Sequence, residues 1–172
     1  MDKPAVRARS IASIRDMADY AEPLGIKLTL EVVNRFEQFL LNDSFEAVEY
    51  VKEVGRTNVY VMLDTFHMNI EEDSFREAIL LAGKHLGHFH IGEANRKVPG
   101  SGRLPWREIA KALREIGYDG TVVMEPFVRM GGGVGSDIKI WRDISGGATD
   151  DQLDESIRQS CAFCKRIFNE ND

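Results

Sequence analysis

Four short apolar runs of the sequence each carry one ionisable residue near the carboxyl end: Glu31, Asp64, His90 and Glu125. The runs cover residues 27–33, 59–64, 87–91 and 121–125 and begin roughly 30 residues apart. A charged side chain at the end of a buried strand is costly unless it is paired, hydrogen-bonded or bound to a metal ion. An ion pair explains one such residue, but four in the same phase of four runs indicate one shared site.

Three carboxylates and one imidazole that meet at one point form a metal site in which oxygen is the main donor. Such a donor set favours Mn²⁺, Mg²⁺ or Co²⁺ over structural zinc. The sequence therefore predicts a divalent metal site formed by these four residues. The alternative is that the four charges belong to separate ion pairs at the strand ends.

A second set of polar residues comes shortly after the first three strand ends: Glu37, His67 and Arg96. We expect them on the loops just beyond the strands, where they can hold a substrate above the metal ion. Each also has a plainer explanation. Glu37 and Arg96 can be solvated loop charges, and His67 can be a helix cap or a hydrogen-bonding partner of the site.

Helical patterns separate the four runs and predict helices over residues 44–54, 74–85 and 105–116. Further helices are predicted before the first strand, over residues 5–21, and after a Gly-rich loop, over about 150–168. Strands that alternate with helices at this spacing are typical of βαβ units in a parallel sheet, so the predicted fold class is α/β. The runs alone suit an open sheet as well as a closed barrel. Ionisable residues at the carboxyl ends of several strands favour the barrel, whose catalytic mouth lies there.

Five stretches around these residues closely resemble the ketose 3-epimerases, the D-psicose (allulose) and D-tagatose 3-epimerases of the sugar phosphate isomerase/epimerase superfamily. The stretches are residues 30–37, 63–69, 87–96, 100–106 and 124–127. These enzymes are TIM barrels, so the resemblance implies a fold of the (β/α)8-barrel type. It also implies a site for Mn²⁺, or else Co²⁺ or Mg²⁺, formed by Glu31, Asp64, His90 and Glu125. The substrate contacts that it implies come from Glu37, His67, Arg96 and Phe127.

The activity that the resemblance implies is epimerisation of a free ketohexose at carbon 3, as between D-fructose and D-psicose or D-tagatose and D-sorbose. The reaction removes a proton next to a carbonyl group and returns it on the opposite face, so two bases are needed. Glu31 and Glu125 would exchange the roles of base and acid through a cis-enediolate, while the metal ion polarises the carbonyl group. His67 and Arg96 would hold the oxygens on carbons 1 to 3. The chain is thus expected to be an isomerase of carbohydrate metabolism.

The composition excludes several other classes of protein. A net charge of -6 and a pI near 5.3 argue against a nucleic-acid partner or an anionic membrane surface. No apolar run approaches the roughly 20 residues that span a bilayer. With two cysteines and no export signal at the start, a cytoplasmic location is expected. The Gly-rich stretch at 129–136 lacks the Lys-Ser/Thr ending of a phosphate-binding P-loop. Trp106 and Trp141 are interpreted as packing residues.

The length of 172 residues is short for the family that the motifs resemble. A complete barrel has eight βα units and about 250 residues, whereas this sequence predicts four units preceded by a helix. We therefore expect residues 1–172 to form a single half-barrel, equivalent to the C-terminal half, that keeps all four metal ligands. Either an N-terminal half is missing, which can leave the chain inactive, or two copies pair as a homo-oligomer. The second arrangement is less favoured because it crowds six carboxylates into one mouth.

Two other functions stay open at this stage. The chain can be another sugar isomerase of the superfamily with the same four ligands, of the hydroxypyruvate or ketose–aldose type. It can also be a metal-binding fragment without turnover.

Overall fold

The centre of the molecule is a parallel sheet of four strands, seen in a computed structural model that describes residues 2–170. The strands are β1 (Leu28–Glu31), β2 (Val59–Asp64), β3 (Leu86–Ile91) and β4 (Val122–Met124). Each strand pairs in parallel with the next along the chain, so the order is β1-β2-β3-β4. An open doubly wound sheet reverses its strand order, whereas the wall of a barrel does not. The order is therefore that of one side of a (β/α) barrel.

The helices alternate with the strands and pack on one another in chain order. Those in the described part of the chain are α1 (Lys3–Ala21), α2 (Ser44–Val54), α3 (Thr65–Glu71), α4 (Phe75–Ala82), α5 (Trp106–Glu115), α6 (Gly132–Asp137) and α7 (Asp150–Asn169). The helix α1 contacts α2, α2 contacts α4, α4 contacts α5, and α5 contacts α7. The prediction of an α/β fold with four βα units preceded by a helix is confirmed.

The hydrophobic core lies between the sheet and these helices. Val61, Leu63 and Phe89 point to that side and are fully buried, as are Ile79 of α4 and Ile109 of α5. Because side chains alternate along a strand, the residues between them point to the opposite face of the sheet. The polar residues of the strands are found on that opposite face.

The register of the strands gathers the polar residues at one end of this second face. Asp64 of β2 lies beside His90 of β3, and Met62 lies beside His88. Glu31, the last residue of β1, also pairs with Met62. Strand ends that are aligned in this way bring side chains from different units of the fold to one place.

Two helices lie where the sequence analysis expected loops. The helix α3 follows β2 directly because the Asp64 side chain caps it, accepting a hydrogen bond of 2.7 Å from the Phe66 backbone N–H. His67 therefore lies within a helix and not on a loop. The short helix α6 interrupts the Gly-rich stretch.

Two other details of the predictions need correction. The helix expected over residues 74–85 ends at Ala82 and continues as a 3₁₀ turn, Gly83–His85. The interpretation of Trp141 as a packing residue is wrong, since 68% of its surface is exposed and its ring lies beside the Lys139 ammonium group. Trp106 is buried as predicted.

No helix within residues 2–170 combines the length and the apolar character needed to cross a membrane.

Candidate metal and substrate site

The four predicted metal ligands converge at the carboxyl ends of the strands. Glu31, Asp64, His90 and Glu125 each offer one ligand atom, and these atoms all lie within 4.8 Å of one another. Glu31 and Asp64 end β1 and β2, His90 is the penultimate residue of β3, and Glu125 follows β4 directly. The strand register therefore brings together residues that are up to 94 positions apart in the sequence, from Glu31 to Glu125.

The histidine of this group has an unsatisfied ring nitrogen. Among residues 2–170, the buried His90 Nδ1 atom finds no hydrogen-bond partner, although Glu125 Oε2 lies 3.6 Å away. A buried nitrogen without a partner is costly unless a bound species supplies the missing contact. Three carboxylates around an unpartnered imidazole nitrogen fit a divalent cation.

The electrostatics of the site point the same way. Burial, together with the neighbouring Glu125 and Asp64 carboxylates, raises the pKa of Glu31 to about 7. Burial also raises the pKa of Asp64, against the opposing effect of Arg96. Neighbouring carboxyl groups disfavour each other's ionisation because their negative charges repel. A cation between them removes this repulsion and stabilises both as anions.

Arg96 lies across the opening of the cluster. Its Nη1 atom is 3.1 Å from Glu125 Oε2 and 3.3 Å from Asp64 Oδ2. Its guanidinium group stacks on the Phe66 ring, 3.8 Å from the centroid, and lies 5.3 Å from the centroid of the Phe127 ring. The side chain is almost fully buried, and its Nη1 and Nη2 groups face the polar residues of the site.

A hydrogen-bonded group next to the cluster includes two further predicted residues. Asn34 donates to His67 Nδ1 from its backbone N–H at 3.2 Å and from its side-chain amide at 2.8 Å. The same amide donates to Glu37 Oε1 at 2.8 Å. Burial lowers the pKa of His67 to about 4, so the ring is neutral near pH 7.

The tautomer of His67 follows from these contacts. Since Nδ1 accepts from Asn34, the proton of the neutral ring is on Nε2. Nε2 lies 3.9 Å from Glu31 Oε1, on the side of the metal cluster, and 3.4 Å from Arg96 Nη2. Arg96 can only donate, but the two shorter hydrogen bonds that Nδ1 accepts from Asn34 outweigh this single longer contact. His67 is therefore arranged as a hydrogen-bond donor toward the site.

All eight predicted site residues lie in one region of the structure. The four ligands form the cluster, Arg96 and His67 border it, Glu37 is 4.0 Å from the Arg96 guanidinium, and Phe127 lies against Arg96. The sequence analysis missed Asn34, whose only signal was its place just after the first strand. It also missed Glu93, a fully buried carboxylate in the loop after β3.

The fold and this site belong to a known class of protein. The family described as xylose isomerase-like TIM barrel matches residues 1–166, so the chain is a member of that family and its fold is of the TIM-barrel type.

Within this family the chain is similar to D-psicose 3-epimerases, as the motifs indicated. It is 58% identical over 168 residues to the D-psicose 3-epimerase of Agrobacterium fabrum and 56% identical over 168 residues to that of Ruminiclostridium cellulolyticum. A crystal structure of a D-psicose 3-epimerase in the presence of D-fructose superimposes with a TM-score of 0.97 and 56% identity.

The match covers nearly all of this chain but only part of its relatives. It includes 98% of the chain and 58% of the Agrobacterium protein, 98% and 57% for the Ruminiclostridium protein, and 99% and 59% for the crystal structure. The chain therefore spans a little over half the length of the curated relatives that it matches.

Proposed function

We propose that this chain carries the metal-binding and proton-transfer part of a ketose 3-epimerase. The reaction would interconvert free ketohexoses that differ at carbon 3, with D-fructose and D-psicose as the first pair to test. The observation that carries the proposal is the convergence of Glu31, Asp64, His90 and Glu125 within 4.8 Å. Similarity to D-psicose 3-epimerases over 98% of the chain supports the choice of reaction.

The cation would be held by Glu31, Asp64, His90 and Glu125, and Mn²⁺ is the ion that we propose, with Co²⁺ or Mg²⁺ as alternatives. When bound, it would supply a Lewis acid that polarises the carbonyl group of the sugar. The unpartnered Nδ1 atom of His90 supports this assignment.

Glu31 and Glu125 are the proposed acid and base. They come from the two outer strands of the sheet, so they approach the centre of the cluster from opposite sides. One would remove the proton from carbon 3, and the other would return a proton to the opposite face.

His67 and Arg96 are proposed to hold the sugar oxygens near the reacting carbon. The Nε2–H group of His67 and the guanidinium donors of Arg96 both border the cluster. Donors directed at an oxygen that gains negative charge during proton removal would stabilise the transition state. Glu37 would accept from a sugar hydroxyl, and the Phe127 ring would cover an apolar face of the substrate.

The rest of the barrel would be supplied by four further βα units, which we propose as a missing N-terminal half rather than a second copy. Either arrangement has strands available for pairing, because β1 and β4 each pair with one neighbour in the described part of the chain. The missing half is favoured because a second copy would crowd six carboxylates into one mouth. We propose a cytoplasmic location, since Cys161 and Cys164 are both free thiols in the structure.

The test is an epimerisation assay on the chain loaded with Mn²⁺, with native mass spectrometry of the same sample to give the metal content and the number of chains. D-Psicose produced from D-fructose would support the proposal. An aldose product would indicate another isomerase of the superfamily. One Mn²⁺ per chain without any product, in a sample to which the N-terminal half of a D-psicose 3-epimerase has been added, would indicate a metal-binding fragment without turnover.

A further inference from the structure

Glu93 is a buried carboxylate that the metal cluster does not use. It lies two residues after β3, and only 1% of its surface is exposed. Its side chain accepts hydrogen bonds from four N–H groups, all on the loop that leads from β3 to α5 or at the start of α5. The donors are the backbone of Gly100 at 2.8 Å, Arg103 at 3.0 Å and Leu104 at 3.3 Å, and the indole of Trp106 at 2.8 Å.

The loop is packed closely around this carboxylate. Gly102 lies against it, since a Cβ atom at that position would be 2.3 Å from Glu93 Oε2. A buried anion that accepts four hydrogen bonds is stable because its donors replace the lost water, and the donors are held in place in return. Glu93 is thus the centre around which the loop folds.

The same loop carries Arg96. The Arg96 backbone N–H donates to the Glu93 carbonyl at 2.9 Å, and the Glu93 N–H donates to the Lys97 carbonyl at 2.9 Å. Between these bonds Arg96 adopts a left-handed conformation with φ of 63°, which is uncommon for a residue with a side chain. The surrounding structure must hold such a conformation in place.

We propose that Glu93 is a positioning residue that sets the orientation of Arg96 at the metal cluster. The chain of contacts runs from the Glu93 carboxylate to the loop, from the loop to the left-handed backbone of Arg96, and from there to the Arg96 guanidinium. That group reaches Asp64 at 3.3 Å and Glu125 at 3.1 Å. The inference rests on the proposed function only for the role of Arg96 toward the sugar.

The exchange Glu93→Gln isolates the negative charge with little change in size. A glutamine side chain has one acceptor oxygen, and its NH₂ group would face N–H donors that need an acceptor. At least two of the four bonds would therefore be lost, and two donors would be left buried without a partner. The four metal ligands lie outside the loop, so the variant should still bind one Mn²⁺ per chain.

The first test reads the position of Arg96 directly and needs no enzymatic activity. Phenylglyoxal modifies exposed arginine side chains, and mass spectrometry gives the rate at each one. Arg96 should be protected in the wild-type chain and react about tenfold faster in Glu93→Gln. Glu108→Gln, which removes the same charge at an exposed position of α5, should leave Arg96 protected. If Arg96 stays protected in a folded Glu93→Gln chain, the inference is wrong.

A second variant keeps the test decisive if Glu93→Gln does not fold. Gly102→Ala would displace the Glu93 carboxylate without changing any charge and should also expose Arg96 to phenylglyoxal. Gly133→Ala is the matched control, because a Cβ atom at Gly133 meets nothing within 4 Å. Equal protection of Arg96 in both glycine variants would overturn the inference.

Sugar binding then tests whether Glu93 acts through Arg96. In the Mn²⁺-loaded chain, Glu93→Gln and Arg96→Ala should each weaken D-fructose binding about tenfold, and the double variant should be no weaker than Arg96→Ala alone. Additive losses would contradict action through Arg96. If the wild-type chain, supplemented with the N-terminal half of a D-psicose 3-epimerase, binds no ketose, the proposed function fails, whereas the phenylglyoxal result still decides the role of Glu93.

Discussion

At the scale of single residues, Glu31 and Glu125 are expected to be essential for proton transfer. Changing either to glutamine removes a base while keeping its shape, so epimerisation should fall by a factor of at least about 100. The assay is D-psicose formation from D-fructose, with bound Mn²⁺ measured in each variant to separate loss of the base from loss of the metal. Glu108→Gln is the control on the surface of α5. Retention of more than about a tenth of the activity by Glu31→Gln or Glu125→Gln would contradict these roles.

The tautomer of neutral His67 is set by the hydrogen bonds that Asn34 donates to Nδ1. In Asn34→Asp, a carboxylate would replace the amide that donates to His67 Nδ1. Because a nearby negative charge favours the imidazolium form, the pKa of His67 should rise from about 4 by one unit or more. An NMR titration of the imidazole signals measures this shift. The control is Asn69→Asp, an exposed position on α3, the helix that carries His67, and it should leave the pKa of His67 unchanged. An unchanged pKa of His67 in Asn34→Asp would show that the tautomer is set in another way.

Metal binding should depend on pH through Glu31. Its pKa is raised from 4.5 to about 7 in the folded chain, so the group is mostly protonated at pH 6 and mostly ionised at pH 8. A cation that binds the carboxylate must displace this proton, and Mn²⁺ affinity should therefore fall as the pH is lowered from 8 to 6. Calorimetry in two buffers of different ionisation enthalpy should show more proton release at pH 6 than at pH 8. Equal affinity at both pH values would contradict the raised pKa.

At the scale of secondary structure, the sequence predicted every strand and the main helices because their signals are local. Apolar runs marked the strands, and polar caps, Gly and Pro marked the helix ends. The helix α3 was missed because its cap is Asp64, a residue already assigned to the metal site. Trp141 was interpreted as a packing residue on its type alone, and nothing in the local sequence shows which aromatic side chains the fold leaves exposed.

The candidate site could be predicted only in part for a similar reason. The four ligands follow a pattern in the sequence, one near the end of each strand. In the structure, the same four residues lie together at the carboxyl ends of the strands. Asn34 and Glu93 follow no pattern, since their roles come from donors and acceptors that only the folded loops bring to them. Residues that act by holding other residues in place are therefore the ones that sequence reasoning overlooks.

The close packing of β2 and β3 gives a prediction at the same scale. A Cβ atom at Gly87 would lie 2.4 Å from the Cβ atom of Tyr60, next to the irregular register between Val61 and Met62. Gly87→Ala should force the strands apart and lower the free energy of unfolding by about 1–3 kcal/mol. Urea denaturation measures the change, with Gly133→Ala as the control that has open space around it. An unchanged midpoint for Gly87→Ala would contradict the close approach of these strands.

At the scale of the whole molecule, the sheet is one side of a barrel. The face that carries the metal ligands is only partly covered, as shown by Val123, which pairs with His90 and is 36% exposed. The length of the sequence and its four predicted βα units indicate a half-barrel. How the other side is closed could not be predicted, because the signals that mark a strand or a helix report only the unit that carries them.

The most direct test of the central claim is to incubate the Mn²⁺-loaded chain with D-fructose in D₂O, supplemented with the N-terminal half of a D-psicose 3-epimerase. Proton NMR shows which carbon exchanges its hydrogen for deuterium. Reversible proton transfer between Glu31 and Glu125 predicts deuterium at carbon 3 of both D-fructose and D-psicose. Exchange at carbon 1, or none at all while Mn²⁺ is bound, would contradict it.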